Sequence, residues 1–174
     1  MIVGNKNAFA IDLGACYQGN QLRKIDVVIN NQYLCVDDNL AFVPQFMTSL
    51  ELNIDRLRKT DFNKFDKYFE GLSVAEIHQF ILKTRTEGAE EFDIEDDQIY
   101  PLHCFLDWGP TTDNLTSFLI PKDKEIYLTH QFWIEEHINK KEIGVIYVTK
   151  VEIEEVLDVL ERTIIVLKEE NEKR

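Results

Sequence analysis

Four histidines are the residues of this chain best suited to acid–base chemistry or metal binding. His130 and His137 flank Glu135 and Glu136, so the segment would offer two imidazoles and two carboxylates to a metal ion. A helical zinc motif, however, needs its histidines four residues apart, and the strand predicted here ends before His137. We therefore interpret both histidines as packed or surface residues rather than as ligands.

The remaining candidates for chemistry are weaker. His78 flanks the inward face of a predicted helix and is interpreted as a residue at the boundary of the core. His103 and Cys104 would form a thiolate–imidazole pair only if they pointed the same way, and adjacent strand residues point to opposite faces. The acidic residues 93–97 lack the glycine and the glutamate that a calcium loop requires. With no phosphate loop or nucleophile elbow in the sequence either, we predict no catalytic residue, no metal and no cofactor.

A polar loop surrounds a Trp-Gly-Pro corner in the second half of the chain. One interpretation is that it presents Asp107 and its neighbours to a ligand or partner. We favour a structural role, in which the side chains of Asp113 and Asn114 hydrogen-bond the turn amides. In that role Gly109 permits unusual dihedral angles and Pro110 stiffens the corner. The loop residues are Asp107, Trp108, Gly109, Thr112, Asp113 and Asn114.

Alternating apolar residues predict the strands that position this loop. The alternation over residues 9–13 and 25–29 predicts two strands, and the turn at 30–32 predicts a hairpin. Further strands are predicted over residues 33–36, 99–106, 115–120, 126–133 and 143–148. Because short polar turns separate successive strands, we expect antiparallel pairing.

Helical spacing accounts for the rest of the chain. Apolar residues from Val43 to Leu57 recur every three or four positions and predict a helix that begins near Pro44. Three phenylalanines predict a short helix that ends at Gly71, and Ser73 with Glu76 matches a capping box that opens a third helix.

The last helix, predicted from about residue 151 to 170, is the longest. Its apolar stripe packs either on the sheet or against a second copy of the chain, so the sequence leaves monomer and homodimer open. Helices on a mainly antiparallel sheet define an α+β fold. A length of 174 residues suits a single globular domain over residues 1–174.

Composition narrows the classes of partner. The formal net charge is −13, and residues 87–97 carry seven acidic side chains without a lysine or arginine. Such a surface repels nucleic acid and anionic membranes and attracts basic proteins. No run is long enough for a membrane helix, no signal peptide is apparent, and three cysteines favour free thiols in a reducing compartment. We expect a cytoplasmic protein.

The acidic run supports two interpretations. The simpler one is a solvated acidic loop that aids solubility, since such runs are common on soluble proteins. The other is a binding surface in which acidic residues surround an apolar anchor. The candidate partner-binding residues are then Glu90, Glu91, Phe92, Asp93, Glu95, Asp96 and Asp97.

Three segments resemble a family of small bacterial immunity proteins, the one numbered forty-two. They are residues 4–11, where a Gly-Asn step precedes a Phe-Ala-Ile strand, residues 107–114, and the aromatic pair Phe132 and Trp133. The polar break at residues 16–20 departs from the family's pattern. The resemblance implies a small cytosolic inhibitor that binds and neutralises a cognate toxin domain, and it brings no catalytic residues.

The leading hypothesis is thus a non-catalytic immunity protein, with a basic nuclease as one type of toxin that its acidity would suit. An acidic interaction or scaffold subunit of another bacterial assembly is the alternative. A small enzyme comes third, through a site formed by His103, Asp107, His130 or Glu136.

Overall fold

The computed structural model describes residues 1–17, 21–85 and 98–172, and it places two antiparallel sheets and five α-helices there. The strands are β1 (Ile2–Gly4), β2 (Phe9–Tyr17), β3 (Leu22–Ile29), β4 (Gln32–Tyr33), β5 (Leu40–Phe42), β6 (Leu115–Lys122), β7 (Glu125–Phe132) and β8 (Ile146–Val151). The helices are α1 (Val43–Lys59), α2 (Asp66–Phe69), α3 (Val74–Thr84), α4 (Ile99–His103) and α5 (Ile153–Glu172). The predicted α+β class is confirmed, with the strands divided between two sheets.

The first sheet has the order β1-β2-β3-β4, and β5 also pairs with β3. The predicted hairpin is confirmed, although β4 is only two residues long. Its turn places Asn30 and Asn31 at φ of 46° and 63°, the left-handed conformation that two-residue hairpin turns require and that asparagine tolerates.

The second sheet, β6-β7-β8, lies between the two apolar cores. Along β6, Leu115 and Leu119 belong to the first core, whereas Phe118 and Ile120 belong to the second. This alternation follows from the two-residue period of a strand. The second core thus lies on one face of the sheet, where α2, α3 and α4 contribute Phe69, Ile77, Ile81 and Ile99.

Helices α1 and α5 pack on each other, and α5 also packs on β1 and β2. The apolar stripe of α5 lies inside the first core, with Val156, Leu160 and Leu167 buried, so it packs within the chain rather than forming a dimer seam. The capping box of α3 is confirmed, since Ser73 and Glu76 make both reciprocal hydrogen bonds. In the described ranges, no helix combines the length and the apolar character that crossing a membrane requires.

One predicted strand is wrong. Residues 99–103 form helix α4, and only a single bridge from Cys104 to Phe118 follows it. Pro101 lies in the first turn of the helix, where its missing N–H is not needed. A short apolar run without alternation does not distinguish a strand from a buried helix, and here contacts with Phe65 and Phe69 bury the helical His103.

Candidate functional site

The polar loop at residues 107–114 borders a surface cleft of about 920 Å³. The other walls come from the turn after β4, the segment that follows β7, and the ends of α3 and α4. We call this the acidic cleft. Its lining includes Asp37, Asp38, Asp107, Asp113, Asn114, Ser117, Trp133, Glu136 and Ile138.

Trp108 anchors the polar loop in the first core. It is 2% exposed and makes edge-on contacts with Phe46 and Phe105, each with ring centroids 5.6 Å apart. Gly109 follows at φ 82° and ψ −157°, a region essentially restricted to glycine. The buried indole and this glycine fix the direction in which the loop leaves the core.

The side chains that hold the turn differ from those predicted. The Thr112 hydroxyl accepts from Trp108 N at 2.9 Å and donates to the Gly109 carbonyl at 3.2 Å. Asp113 is exposed, and its carboxylate makes no hydrogen bond within the described residues. Asn114 instead donates to Leu34 O across 80 residues of sequence, at 2.9 Å. The prediction that Asp113 and Asn114 serve the turn amides is therefore wrong.

A partly buried polar network holds together the segments that form the cleft. It consists of Asp37, Asn114, His137 and Glu142. Asn114 Nδ2 donates to Asp37 Oδ2 at 2.8 Å, and His137 Nδ1 donates to the same oxygen at 2.6 Å. His137 Nε2 donates to Glu142 Oε2 at 2.9 Å. Asp37 Oδ1 also accepts from Ile138 N at 2.9 Å, so one carboxylate joins three separate segments.

The geometry of this network favours the protonated form of His137. Each ring nitrogen faces a carboxylate oxygen, and an ionised carboxylate can accept hydrogen bonds but cannot donate them. The ring also stacks on Phe132, with the centroids 3.9 Å apart. Burial alone favours the neutral forms of His137 and Asp37. Their hydrogen bonds outweigh burial, so the pKa of His137 is raised and that of Asp37 is lowered. Both shifts favour an imidazolium paired with a carboxylate.

Apolar side chains project from the segment that this network holds. Trp133 is 57% exposed and Ile138 is 71% exposed. Trp133 N donates to Asn114 O at 3.2 Å, which fixes the backbone beside the cleft. A solvent-exposed tryptophan beside an exposed isoleucine is typical of a contact surface, since tryptophan is enriched among the residues that dominate binding energy.

The other three histidines lie apart from the cleft. His78 is fully buried, with Nδ1 2.8 Å from Thr129 Oγ1, so its placement at the boundary of the core was wrong. His103 Nδ1 lies 2.7 Å from Ile99 O, and His130 stacks on Tyr147. Burial lowers the pKa of His78 and His103 to about 4 and that of His130 to about 3, so all three are neutral at pH 7.

The four residues considered for an enzyme are not brought together. Asp107 and Glu136 line the acidic cleft, whereas His103 and His130 are buried among aromatic rings. His103 is also in a helix, so the strand argument made for it and Cys104 does not apply. Burial is the main reason why the pKa of the Cys104 thiol is raised, which disfavours the nucleophilic thiolate.

The predicted acidic binding residues lie outside the described part of the chain. These are Glu90, Glu91, Phe92, Asp93, Glu95, Asp96 and Asp97. Of the residues described nearby, Arg85 and Tyr100 line the acidic cleft, where Arg85 donates to the tyrosine hydroxyl at 2.9 Å. The prediction for residues 90–97 thus stays a prediction.

Sequence reasoning missed the role of Asp37 and Glu142 in the polar network. No pattern near Asp37 predicts this role, because its partner His137 is 100 residues away in the sequence. The available signal was the presence of acidic residues around His137, which we considered only as metal ligands and rejected in that role. The structure uses Glu142 and Asp37 to hold a charged imidazole instead, and no metal-binding group of three such side chains occurs in the described residues.

Comparison with known proteins shows a likeness to a solved structure. No protein-family model and no curated protein sequence matches the chain, so membership of the numbered family stays a prediction. The fold is similar to the crystal structure of CdiI from Burkholderia dolosa, a contact-dependent inhibition immunity protein, with a TM-score of 0.59 and 16% sequence identity. The match covers 94% of this chain and 98% of that chain. At this identity the likeness establishes a shared fold.

Proposed function

We propose that this protein is an immunity protein that neutralises a cognate toxin domain by stoichiometric, non-catalytic binding. The observation that carries the proposal is the fold shared with CdiI over nearly the whole length of both chains. The resemblance of three short segments to an immunity family leads to the same function independently of that match. The protein would act in the cytoplasm, without a cofactor, on a protein rather than on nucleic acid or a membrane.

The charge of the chain supports a basic toxin. A net charge of −13 gives a field that speeds the encounter with a positively charged protein. Rapid capture suits an inhibitor that must find its toxin at low concentration. A nuclease domain would have the required basic surface, because it must bind a polyanion.

Co-expression with the product of the adjacent upstream gene tests this function. We expect that gene to stop growth when expressed alone, and growth to be restored when this protein is co-expressed. The two should co-purify as a one-to-one complex. A harmless neighbour, or rescue without a complex, would contradict stoichiometric neutralisation.

We further propose that the acidic residues 90–97 contribute contacts with the toxin. Phe92 would supply an apolar anchor, and the neighbouring carboxylates would belong to the polar rim that surrounds the apolar centre of an interface. Reversing the charges of Glu90, Glu91 and Asp93 should then weaken the complex. Unchanged neutralisation by the charge-reversed protein would exclude this segment while leaving the immunity function intact.

A further inference from the structure

The acidic cleft has an excess of negative charge. Asp38, Asp107, Asp113 and Glu136 are all exposed there, and none forms an ion pair with a described residue. Of the four, Asp107 is near enough to Arg56 for the two charges to attract each other. Arg85 is the one basic residue of the described lining, and its guanidinium lies over the ring of Tyr100, 4.9 Å from the centroid. A cationic group entering the cleft would meet several unpaired carboxylates.

Buried oxygen atoms in the same lining lack partners as well. Ser117 is 2% exposed and Asn114 is 5% exposed. Within the described residues, Ser117 Oγ and Asn114 Oδ1 accept no hydrogen bond. A buried acceptor without a partner costs free energy, so a bound partner whose donors reach either oxygen would be stabilised independently of the surface carboxylates.

The exposed indole of Trp133 adds a flat apolar surface beside these acceptors. Guanidinium groups stack on tryptophan faces while their N–H groups bond acceptors in the plane. A lysine ammonium would also be attracted by the carboxylates, but it lacks the flat face that stacks on an indole. The polar network holds this surface in place, because Asp37 bonds the backbone of Ile138 and Asn114 bonds that of Trp133.

We propose that the acidic cleft docks an arginine-bearing basic segment of the partner protein, with a guanidinium stacked on Trp133 and facing Asp107 and Asp113. This inference rests on the proposed function for the identity of the partner as a toxin. The chemistry of the ligand is independent of that function. Acidic partners and nucleic acids are repelled by the same carboxylates.

A peptide titration tests the chemistry without the toxin. The probes are hexa-arginine, hexalysine and hexaglutamate peptides with blocked ends, added to the full-length isotope-labelled protein. Hexa-arginine should shift the indole N–H resonance of Trp133 and leave that of the buried Trp108 unchanged, with weaker binding at higher salt. Hexalysine should bind more weakly, and hexaglutamate should not bind. Equal shifts with all three peptides, or none with hexa-arginine, would overturn the proposal.

Variants test whether the basic segment binds in the cleft. In Asp107→Asn/Asp113→Asn, both changed side chains are exposed and free of hydrogen bonds with described residues, so folding should be retained. Glu154→Gln/Glu155→Gln on α5 removes the same charge away from the cleft and serves as the matched control. With the co-purified toxin, the cleft pair should weaken binding by about tenfold, and Trp133→Ala by about thirtyfold. The control pair should bind like the parent protein.

The outcomes separate the two proposals. A toxin that binds the parent protein and both cleft variants equally would overturn the docking proposal and leave the immunity function standing. A neighbouring gene product that never binds, together with cleft-specific binding of hexa-arginine, would overturn the proposed function and leave the cleft chemistry standing. Concentration-dependent self-association that the cleft variants abolish would place a second copy of this chain in the cleft and overturn the docking proposal.

Discussion

The apolar cores and the acidic cleft each contain tryptophan and histidine, but the exposure of the tryptophan and the charge of the histidine differ between the two regions. Trp108 is buried against Phe46, whereas Trp133 is mostly exposed beside the cleft. In and beside the cores, burial keeps His78, His103 and His130 neutral. At the cleft, two carboxylates hold His137 charged in an equally buried position.

This difference shows that burial alone does not decide the charge of an imidazole. Desolvation favours the neutral ring in both regions, and only the placement of Asp37 and Glu142 reverses the result for His137. The cores therefore depend on apolar packing and the cleft on charge pairing. Acid, core truncation and loss of a carboxylate should affect the two regions differently.

The largest expected effect is acid destabilisation through the three neutral histidines. Their ordinary pKa of 6.5 in the unfolded chain falls to about 4, 4 and 3 on folding. Below pH 6.5 the unfolded chain therefore binds protons that the folded chain does not. The free energy of unfolding should fall by at most about 1.4 kcal/mol per pH unit for each histidine, or about 4 kcal/mol per pH unit for the three together, and this full slope is reached only near pH 5. Urea denaturation between about pH 7 and pH 5 measures this slope.

Two variants sharpen that measurement. His103→Phe should reduce the acid slope, which is the change in the free energy of unfolding per pH unit below pH 6.5, by the contribution of one proton. His137→Gln should leave the acid slope unchanged, because the raised pKa of His137 stabilises the fold below pH 6.5 and loses its effect only as the pH rises through the folded pKa. A slope that changes in His137→Gln and not in His103→Phe would mean that His137, and not the neutral buried histidine, causes the acid destabilisation.

The two tryptophans give the next largest contrast. Trp108→Ala removes a large side chain from the first core and should reduce the free energy of unfolding by about 3–5 kcal/mol. Trp133→Ala changes a mostly exposed side chain, so the expected change is within about 0.5 kcal/mol. Urea denaturation followed by circular dichroism compares them. Similar losses from both variants would mean that Trp133 belongs to the packed structure rather than to a contact surface.

The smallest of the three effects concerns the charge of Asp37. Asp37→Asn keeps the size of the side chain but loses a charged hydrogen bond to His137, which should cost about 1.5–3 kcal/mol. The pKa of His137 should fall, as followed by NMR titration of the ring. Asp38→Asn is the matched control, because Asp38 is exposed and accepts a bond from Leu40 N. Equal pKa shifts in both variants would exclude the pairing of Asp37 with His137.

Local patterns were sufficient for most of the fold. The capping box at Ser73 and the hairpin turn at Asn30 depend on residues within a few positions, and both are confirmed. Helix α4 was missed, because a five-residue apolar stretch fits either period and its packing partners decide between them. The candidate site was predicted only in part, since the polar loop lines the cleft while its contacts with Leu34 and Asp37 cross distant segments.

Periodic burial and short turns act over neighbouring residues, so the amino-acid sequence was enough to predict the α+β class, the antiparallel pairing and the long C-terminal helix. It also determined the acidity of the surface, which is a property of composition. The tertiary structure alone decided which of four histidines is charged and which of two tryptophans is exposed. Those outcomes depend on contacts such as Asp37 with His137, 100 residues apart, and no local pattern specifies which loops meet when the sheets and helices pack.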